Sequence, residues 1–111
     1  MHIVFYTDRL IPKQFAGYTR GPVIFIRPEY KNDKGLLEHE KVHVRQFWRT
    51  LGFHGLIYKF SKSYRLKCEL EAYSVQLRYS PNSANAFAKF IAEKYDLDIT
   101  QAEAKEALLI S

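Results

Sequence analysis

Hydrophobic positions in the first thirty residues form short runs that are typical of extended strands. Residues 3–7 and Val23–Ile26 are rich in β-branched and aromatic side chains, and both runs predict short strands. Residues 15–19, which lie between turn signals, predict a third short strand. Pro22 and Pro28 bracket the Val23–Ile26 run, and proline cannot donate a hydrogen bond to a sheet. We therefore expect this strand to lie near an edge of the sheet.

After Pro28 the hydrophobic period changes from two to 3.6 residues, which is typical of amphipathic helices. The first predicted helix has Asn32 or Asp33 as its N-cap, ends at Gly52 and places one apolar stripe inward, formed by Leu36, Leu37, Val44, Phe47, Trp48 and Leu51. The second begins near Ser61 or Ser63 and ends at Ser80. Two shorter helices are predicted over residues 83–94 and, after the capping-box sequence that begins at Thr100, over residues 101–109. Strands followed by helices predict an α+β fold with a small antiparallel or mixed sheet of two or three strands and about four helices.

The length of 111 residues predicts one domain, residues 1–111, and 47% hydrophobic residues suffice for its core. No apolar stretch approaches the roughly 20 residues of a membrane span, and the N-terminal pattern does not predict a signal peptide. Cys68 is the single cysteine and cannot form an intramolecular disulfide, which favours a reducing compartment. We therefore expect a cytoplasmic protein without a membrane partner, with Cys68 as a small buried hydrophobe.

Basic residues exceed acidic ones by 17 to 12, a formal net charge of +5. These basic residues are scattered along the chain and form no run, which is typical of a solvated surface. The charge pattern therefore disfavours nucleic acid as a partner.

Candidate chemistry lies inside the first predicted helix, where His39, Glu40 and His43 form an H-E-x-x-H motif. Residues four apart share one face of a helix, so both imidazoles can reach one Zn²⁺ at about 2.0 to 2.1 Å. Glu40 is then placed to act on a zinc-bound water. Two alternatives are that the histidines are ordinary helix residues and that the zinc is purely structural.

A catalytic zinc needs a third protein ligand and an open position. On the second predicted helix, Glu69 lies beside the apolar stripe and faces the first helix, with the small residue Ala72 one turn further on. Glu71 points away, which predicts a solvated carboxylate with Lys67 as its candidate partner. Glu69 is therefore the predicted third ligand.

The H-E-x-x-H motif followed by Glu69-Leu70-Glu71-Ala72 on a second helix resembles the gluzincin clan of zinc metallopeptidases, and the small size resembles the single-domain minigluzincins. The resemblance implies that the two helices cross at a zinc ion, that His39, His43 and Glu69 bind it, and that Glu40 is the general base and acid. It also implies a strand that binds substrate at the edge of the cleft, matched here by Val23, Ile24, Phe25, Ile26 and Arg27. Tyr73 departs from the pattern, because many relatives carry an aspartate there that orients a zinc-bound histidine.

The predicted function is zinc-dependent hydrolysis of peptide bonds in a peptide or protein substrate, by a zinc-bound water that Glu40 activates. The reaction needs a donor to the developing oxyanion, for which Tyr58, Tyr64, Tyr73 and His54 are candidates. The alternative is a zinc-binding interaction or assembly protein that keeps the fold without useful turnover.

The apolar C-terminal tail, residues 102–111, has two predicted roles. It either completes the core or lies across the cleft of its own or a neighbouring molecule, which would make the isolated enzyme latent and self-association a means of control.

Overall fold

The computed structural model describes all residues, 1–111, and shows an α+β fold with a three-stranded sheet followed by five α-helices. The predicted fold class is confirmed. The elements are β1 (Ile3–Tyr6), β2 (Gly17–Arg20), β3 (Val23–Ile26), α1 (Lys34–Arg49), α2 (His54–Phe60), α3 (Lys62–Tyr79), α4 (Ala84–Lys94) and α5 (Gln101–Leu109), with 3₁₀ turns at Pro28–Tyr30 and Pro81–Ser83.

The sheet is mixed and its strand order is β1-β3-β2, so β3 is the central strand. It pairs in parallel with β1 and antiparallel with β2 over all four of its residues. The prediction that residues 23–27 form an edge strand is therefore wrong. The prediction fails because both prolines lie outside the paired residues. Pro22 occupies the hairpin turn and Pro28 opens a 3₁₀ turn, so neither removes a hydrogen-bond donor from the sheet.

The edge strand beside the helices is β2. A two-residue loop joins it to β3, and Gly21 in that loop has a φ of +59°, which is the conformation that a type II′ hairpin turn requires of its first residue. One edge of β2 is thus bonded to β3, and α1 packs directly against both strands.

Three predicted helix starts are confirmed by side-chain caps. Asp33, Ser61 and Thr100 each accept a hydrogen bond from a backbone N–H in the first turn, and Thr100 forms the full capping box with Glu103. The sequence did not predict α2. Its apolar residues recur at helical spacing but face solvent, namely Phe53, Leu56, Ile57 and Phe60.

Most of the buried apolar residues form two clusters. The sheet cluster consists of Ile24, Ile26, Leu36 and Val44 and lies between the sheet and α1. The helical cluster joins α3, α4 and α5 and consists of Tyr73, Phe87, Ala88, Ile91, Leu97, Ala104 and Leu108. Trp48 and Leu51, which were predicted to be core residues, are exposed instead: Trp48 lies in the last turn of α1, and Leu51 lies in the turn that follows the helix.

The C-terminal tail completes the core, which was one of its two predicted roles. Leu108 is buried in the helical cluster, whereas Leu109 and Ile110 are exposed. No residue of α5 lines the cleft described below, so the tail does not cover its own cleft. None of the helices combines the length and the apolar character that a membrane span requires.

Candidate metal centre

The structure brings the three predicted ligands together at the interface of α1 and α3. The spacing of four residues places the His39 and His43 rings 5.0 Å apart, centroid to centroid. The Glu69 carboxylate lies against both, with Oε1 3.5 Å from Nε2 of His39 and Oε2 3.3 Å from Nε2 of His43. All three residues are buried, and Glu69 is only 1% exposed. One ligand atom from each lies within 4.8 Å of the others.

These distances fit a shared metal ion better than direct ion pairs. Charge-assisted N–H···O bonds measure about 2.7 to 2.9 Å, which is shorter than either contact. Ligand atoms of a tetrahedral zinc site are about 3.3 Å apart when each lies about 2.0 Å from the metal. In addition, the buried Oε1 of Glu69 has no hydrogen-bond partner, and a cation would satisfy it. Two imidazoles and one carboxylate therefore fit zinc, which takes such ligands in catalytic sites.

The charges at the centre are strongly coupled. Burial acts to lower the pKa of His43, but the adjacent Glu69 carboxylate outweighs it and raises this pKa to about 9. Burial acts to raise the pKa of Glu69, but the two histidines outweigh it and hold this pKa well below its usual range. Glu69 is therefore an anion buried between two imidazoles, and in the metal-free protein a proton on His43 balances it.

Glu40 is held against the edge strand. The Thr19 hydroxyl donates a hydrogen bond of 2.7 Å to Oε1 of Glu40. A Cβ atom at Gly17 would lie 3.1 Å from Oε2 of the same carboxylate, so the glycine allows this close approach. Neither contact could be predicted from the sequence, because Gly17 shows only a turn signal and no local pattern indicates that β2 packs against α1.

Tyr58, on the unpredicted helix α2, contacts Glu69. Its hydroxyl donates a hydrogen bond of 2.6 Å to Oε2 of Glu69. Burial and the neighbouring Glu69 charge raise the pKa of Tyr58 far above its usual value, so the hydroxyl stays protonated. Its proton is directed at Glu69 and is not free for a substrate.

Tyr73 contacts His39 through its ring. The two rings pack edge to face with centroids 4.4 Å apart, while the Tyr73 hydroxyl lies 2.7 Å from the hydroxyl of Tyr95. Nδ1 of His39 is buried without a hydrogen-bond partner. Tyr73 therefore does not supply the acceptor for His39 that an aspartate at this position would supply.

His54 is the first residue of α2, and its ring centroid lies 6.1 Å from that of His43. Nδ1 of His54 lies 2.8 Å from the Tyr64 hydroxyl. Burial, reinforced by the positive charge of His43, lowers the pKa of His54 to about 4, so its ring is neutral near pH 7. Its Nε2 makes no hydrogen bond, and the residue lines the cleft. Of the four predicted donors to the oxyanion, only His54 lines the cleft with a polar side-chain atom that makes no hydrogen bond.

The sequence analysis also missed Gln46. Its Oε1 lies 2.8 Å from Nδ1 of His43, and its side-chain nitrogen donates to Oε1 of Glu71. Glu71 also pairs with Arg49 at 3.1 Å, and its side chain is 39% exposed, so the predicted partner Lys67 is wrong whereas contact with solvent is present. The spacing of three residues from His43 is the signal that could have identified Gln46.

A cleft of about 910 Å³ runs along β2 and reaches the centre. All four β2 residues line it together with Glu40, both histidine ligands and Glu69. Arg27 does not line this cleft. Its guanidinium instead donates to backbone carbonyls of the loop before β2, those of Asp8, Ile11, Pro12 and Phe15.

Comparison of the chain with protein-family models, curated proteins and solved structures gives no match. Its function is therefore inferred from its own residues.

Proposed function

We propose that the chain is a zinc-dependent metallopeptidase that hydrolyses peptide bonds. The observation that carries this proposal is the buried set of His39, His43 and Glu69 with the unpartnered Oε1 of Glu69, beside a Glu40 carboxylate in the same cleft. Three protein ligands leave a fourth position open, as in catalytic zinc sites, whereas structural sites close with four.

Zinc, when bound, supplies the Lewis acidity that polarises a peptide carbonyl and acidifies water. Glu40 accepts the proton of the attacking water and returns it to the leaving amine, which is the role that its place in the H-E-x-x-H motif predicts. The hydrogen bond from Thr19 leaves Oε2 of Glu40 as the oxygen available for this transfer. His39, His43 and Glu69 hold the ion and take no proton during the reaction.

His54 is the proposed donor to the oxyanion. When the Tyr64 hydroxyl donates to Nδ1 of His54, the ring proton of the neutral imidazole is on Nε2. The ring of His54 lines the cleft beside His43, so this N–H group is the candidate donor to the oxyanion. Tyr58, Tyr64 and Tyr73 are already committed to Glu69, His54 and Tyr95.

The proposed substrate is an extended peptide that binds along β2 rather than β3. All backbone pairing of β3 is taken by its two neighbours, whereas β2 pairs on one side only and lines the cleft. Main-chain pairing of this kind tolerates many sequences, so we expect broad specificity. The cytoplasm is the proposed location, since the single cysteine needs no oxidising compartment.

The test is Glu40→Gln in the zinc-loaded chain, assayed on an unfolded protein substrate such as casein. We expect wild-type zinc content and loss of turnover by at least about a hundredfold, because general-base catalysis contributes about that much. Glu38→Gln is the matched control, because Glu38 is a neighbouring helix carboxylate paired with Lys41.

Full activity of Glu40→Gln would contradict the mechanism. A wild-type chain that binds zinc without turnover would favour the interaction or assembly protein, and a chain that binds no zinc would exclude both.

A further inference from the structure

We propose that Gln46 is a positioning residue that fixes the tautomer and orientation of His43, and that the ion pair between Glu71 and Arg49 fixes Gln46 in turn. This inference rests on the proposed zinc site, and it concerns how tightly the ion is held rather than which reaction follows.

The direction of the Gln46 amide is set by its surroundings. Gln46 is 2% exposed, and its nitrogen faces two acceptors, the Cys68 carbonyl at 3.2 Å and Oε1 of Glu71 at 2.8 Å. A carbonyl and a carboxylate can only accept, so the NH₂ group must face them. The amide oxygen therefore faces His43, because the reverse orientation would direct that oxygen at two acceptors.

This amide direction decides the protonation of His43. The Gln46 oxygen can only accept, so Nδ1 of His43 must carry a hydrogen and donate it across the distance of 2.8 Å. In a neutral imidazole the lone pair is then on Nε2, the atom that lies 3.3 Å from Glu69. His43 is thus presented to a cation in its ligating tautomer, and its ring cannot rotate without breaking the hydrogen bond.

The contacts continue to the protein surface. Arg49 donates to both oxygens of Glu71, at 3.4 and 3.1 Å, and its side chain is 59% exposed. Arg49 and Gln46 belong to α1, whereas Glu71 and Cys68 belong to α3, so the hydrogen bonds cross the same helix interface as the metal centre. An exposed arginine is thereby connected to a buried ligand through two side chains.

His39 provides an internal comparison. Its Nδ1 is buried without a hydrogen-bond partner, and its ring packs against the ring of Tyr73 on that flank. The two histidines are therefore not equivalent, and His43 is the one whose orientation hydrogen bonding determines.

The experiment measures zinc affinity by chelator competition and the Nδ1–H signal of His43 by NMR of the zinc-loaded, ¹⁵N-labelled chain. For Gln46→Leu we expect zinc binding to weaken about 10- to 100-fold and the His43 signal to be lost. Gln101→Leu makes the same chemical change on the exposed first turn of α5 and should alter neither.

A further variant keeps the test valid if Gln46→Leu does not fold. Glu71→Leu removes one acceptor of the Gln46 amide at a half-buried position, and we expect a smaller weakening of zinc binding, roughly three- to tenfold.

Wild-type zinc affinity in Gln46→Leu, or in Glu71→Leu if the former does not fold, would overturn the inference. If the wild-type chain binds no zinc, the metal centre itself is wrong. If zinc binds and depends on Gln46 but no peptide is cleaved, only the proposed peptidase activity is lost.

Discussion

The Thr19 hydroxyl donates a hydrogen bond of 2.7 Å to Oε1 of Glu40 and so joins the edge strand to the residue proposed as the general base. The sheet therefore does more than support α1. It holds one oxygen of the carboxylate and leaves the other for proton transfer.

Thr19→Val removes this donor at nearly constant volume. We expect kcat for peptide cleavage to fall about tenfold, because the carboxylate loses its fixed orientation, while zinc affinity stays unchanged. Thr19→Ser keeps the hydroxyl and should retain most of the activity. Steady-state kinetics on the three zinc-loaded proteins would check this, and equal kcat values in all of them would contradict it.

Gly17→Ala tests the close approach on the other side of the same carboxylate. The added methyl would lie 3.1 Å from Oε2 of Glu40, so the carboxylate must shift by a few tenths of an ångström. We expect kcat/KM to fall severalfold with little change in Tm, since a small misplacement of a catalytic group is costly. Gly55→Ala is the control, because its new methyl meets no atom within 4 Å. An equal loss of activity in both variants would show that Gly17 has no specific role at the site.

The local pattern of the sequence predicts most of the fold and the meeting of His39, His43 and Glu69. The helical period fixes which face of α1 carries His39 and His43, and the cap residues Asp33 and Ser61 fix where α1 and α3 begin. Glu69 follows from its place beside the apolar stripe. These features depend on spacing within one element, which a sequence displays directly.

Features that depend on contacts between elements could not be predicted in this way. Strand order places β3 between β1 and β2, and no local signal distinguishes a central strand of four residues from an edge strand. The helix α2 was missed because its apolar residues face outward while His54 and Tyr58 face the centre, which reverses the usual pattern. Gln46 is a polar residue whose partners lie on another helix.

The stability of the metal-free protein should fall at alkaline pH. The folded pKa of His43 is about 9, above its unfolded value of about 6.5, so its contribution to the free energy of unfolding is complete below pH 6.5 and is lost as pH rises through 9. Urea unfolding with a chelator at pH 6.5 and 9.5 would measure this loss.

The zinc-loaded protein provides the comparison for that experiment. His43 is neutral when it binds zinc, so its alkaline contribution disappears and the loss between pH 6.5 and 9.5 should be smaller. Equal losses with and without zinc would show that His43 does not bind the ion.

Leu108→Ala tests the role of the C-terminal tail in the core. Leu108 is 2% exposed, so its truncation leaves a cavity in the helical cluster and should lower the free energy of unfolding by about 2 to 5 kcal/mol. Leu109→Ala changes the exposed neighbour and should alter it by less than about 0.5 kcal/mol. Denaturant unfolding of the two variants separates these outcomes, and similar values for both would contradict the placement of α5.

The sheet cluster and the helical cluster share no buried residue, and the interface of α1 with α3 between them carries most of the buried polar side chains, including His39, His43, Gln46 and Glu69. Charge balance at the centre therefore contributes to cohesion across this interface. The free energy of holding the proposed cation would consequently also help to keep the two clusters together. Removal of the ion should therefore loosen the contact between α1 and α3. Amide hydrogen exchange should rise first along these two helices, while each cluster keeps its own structure.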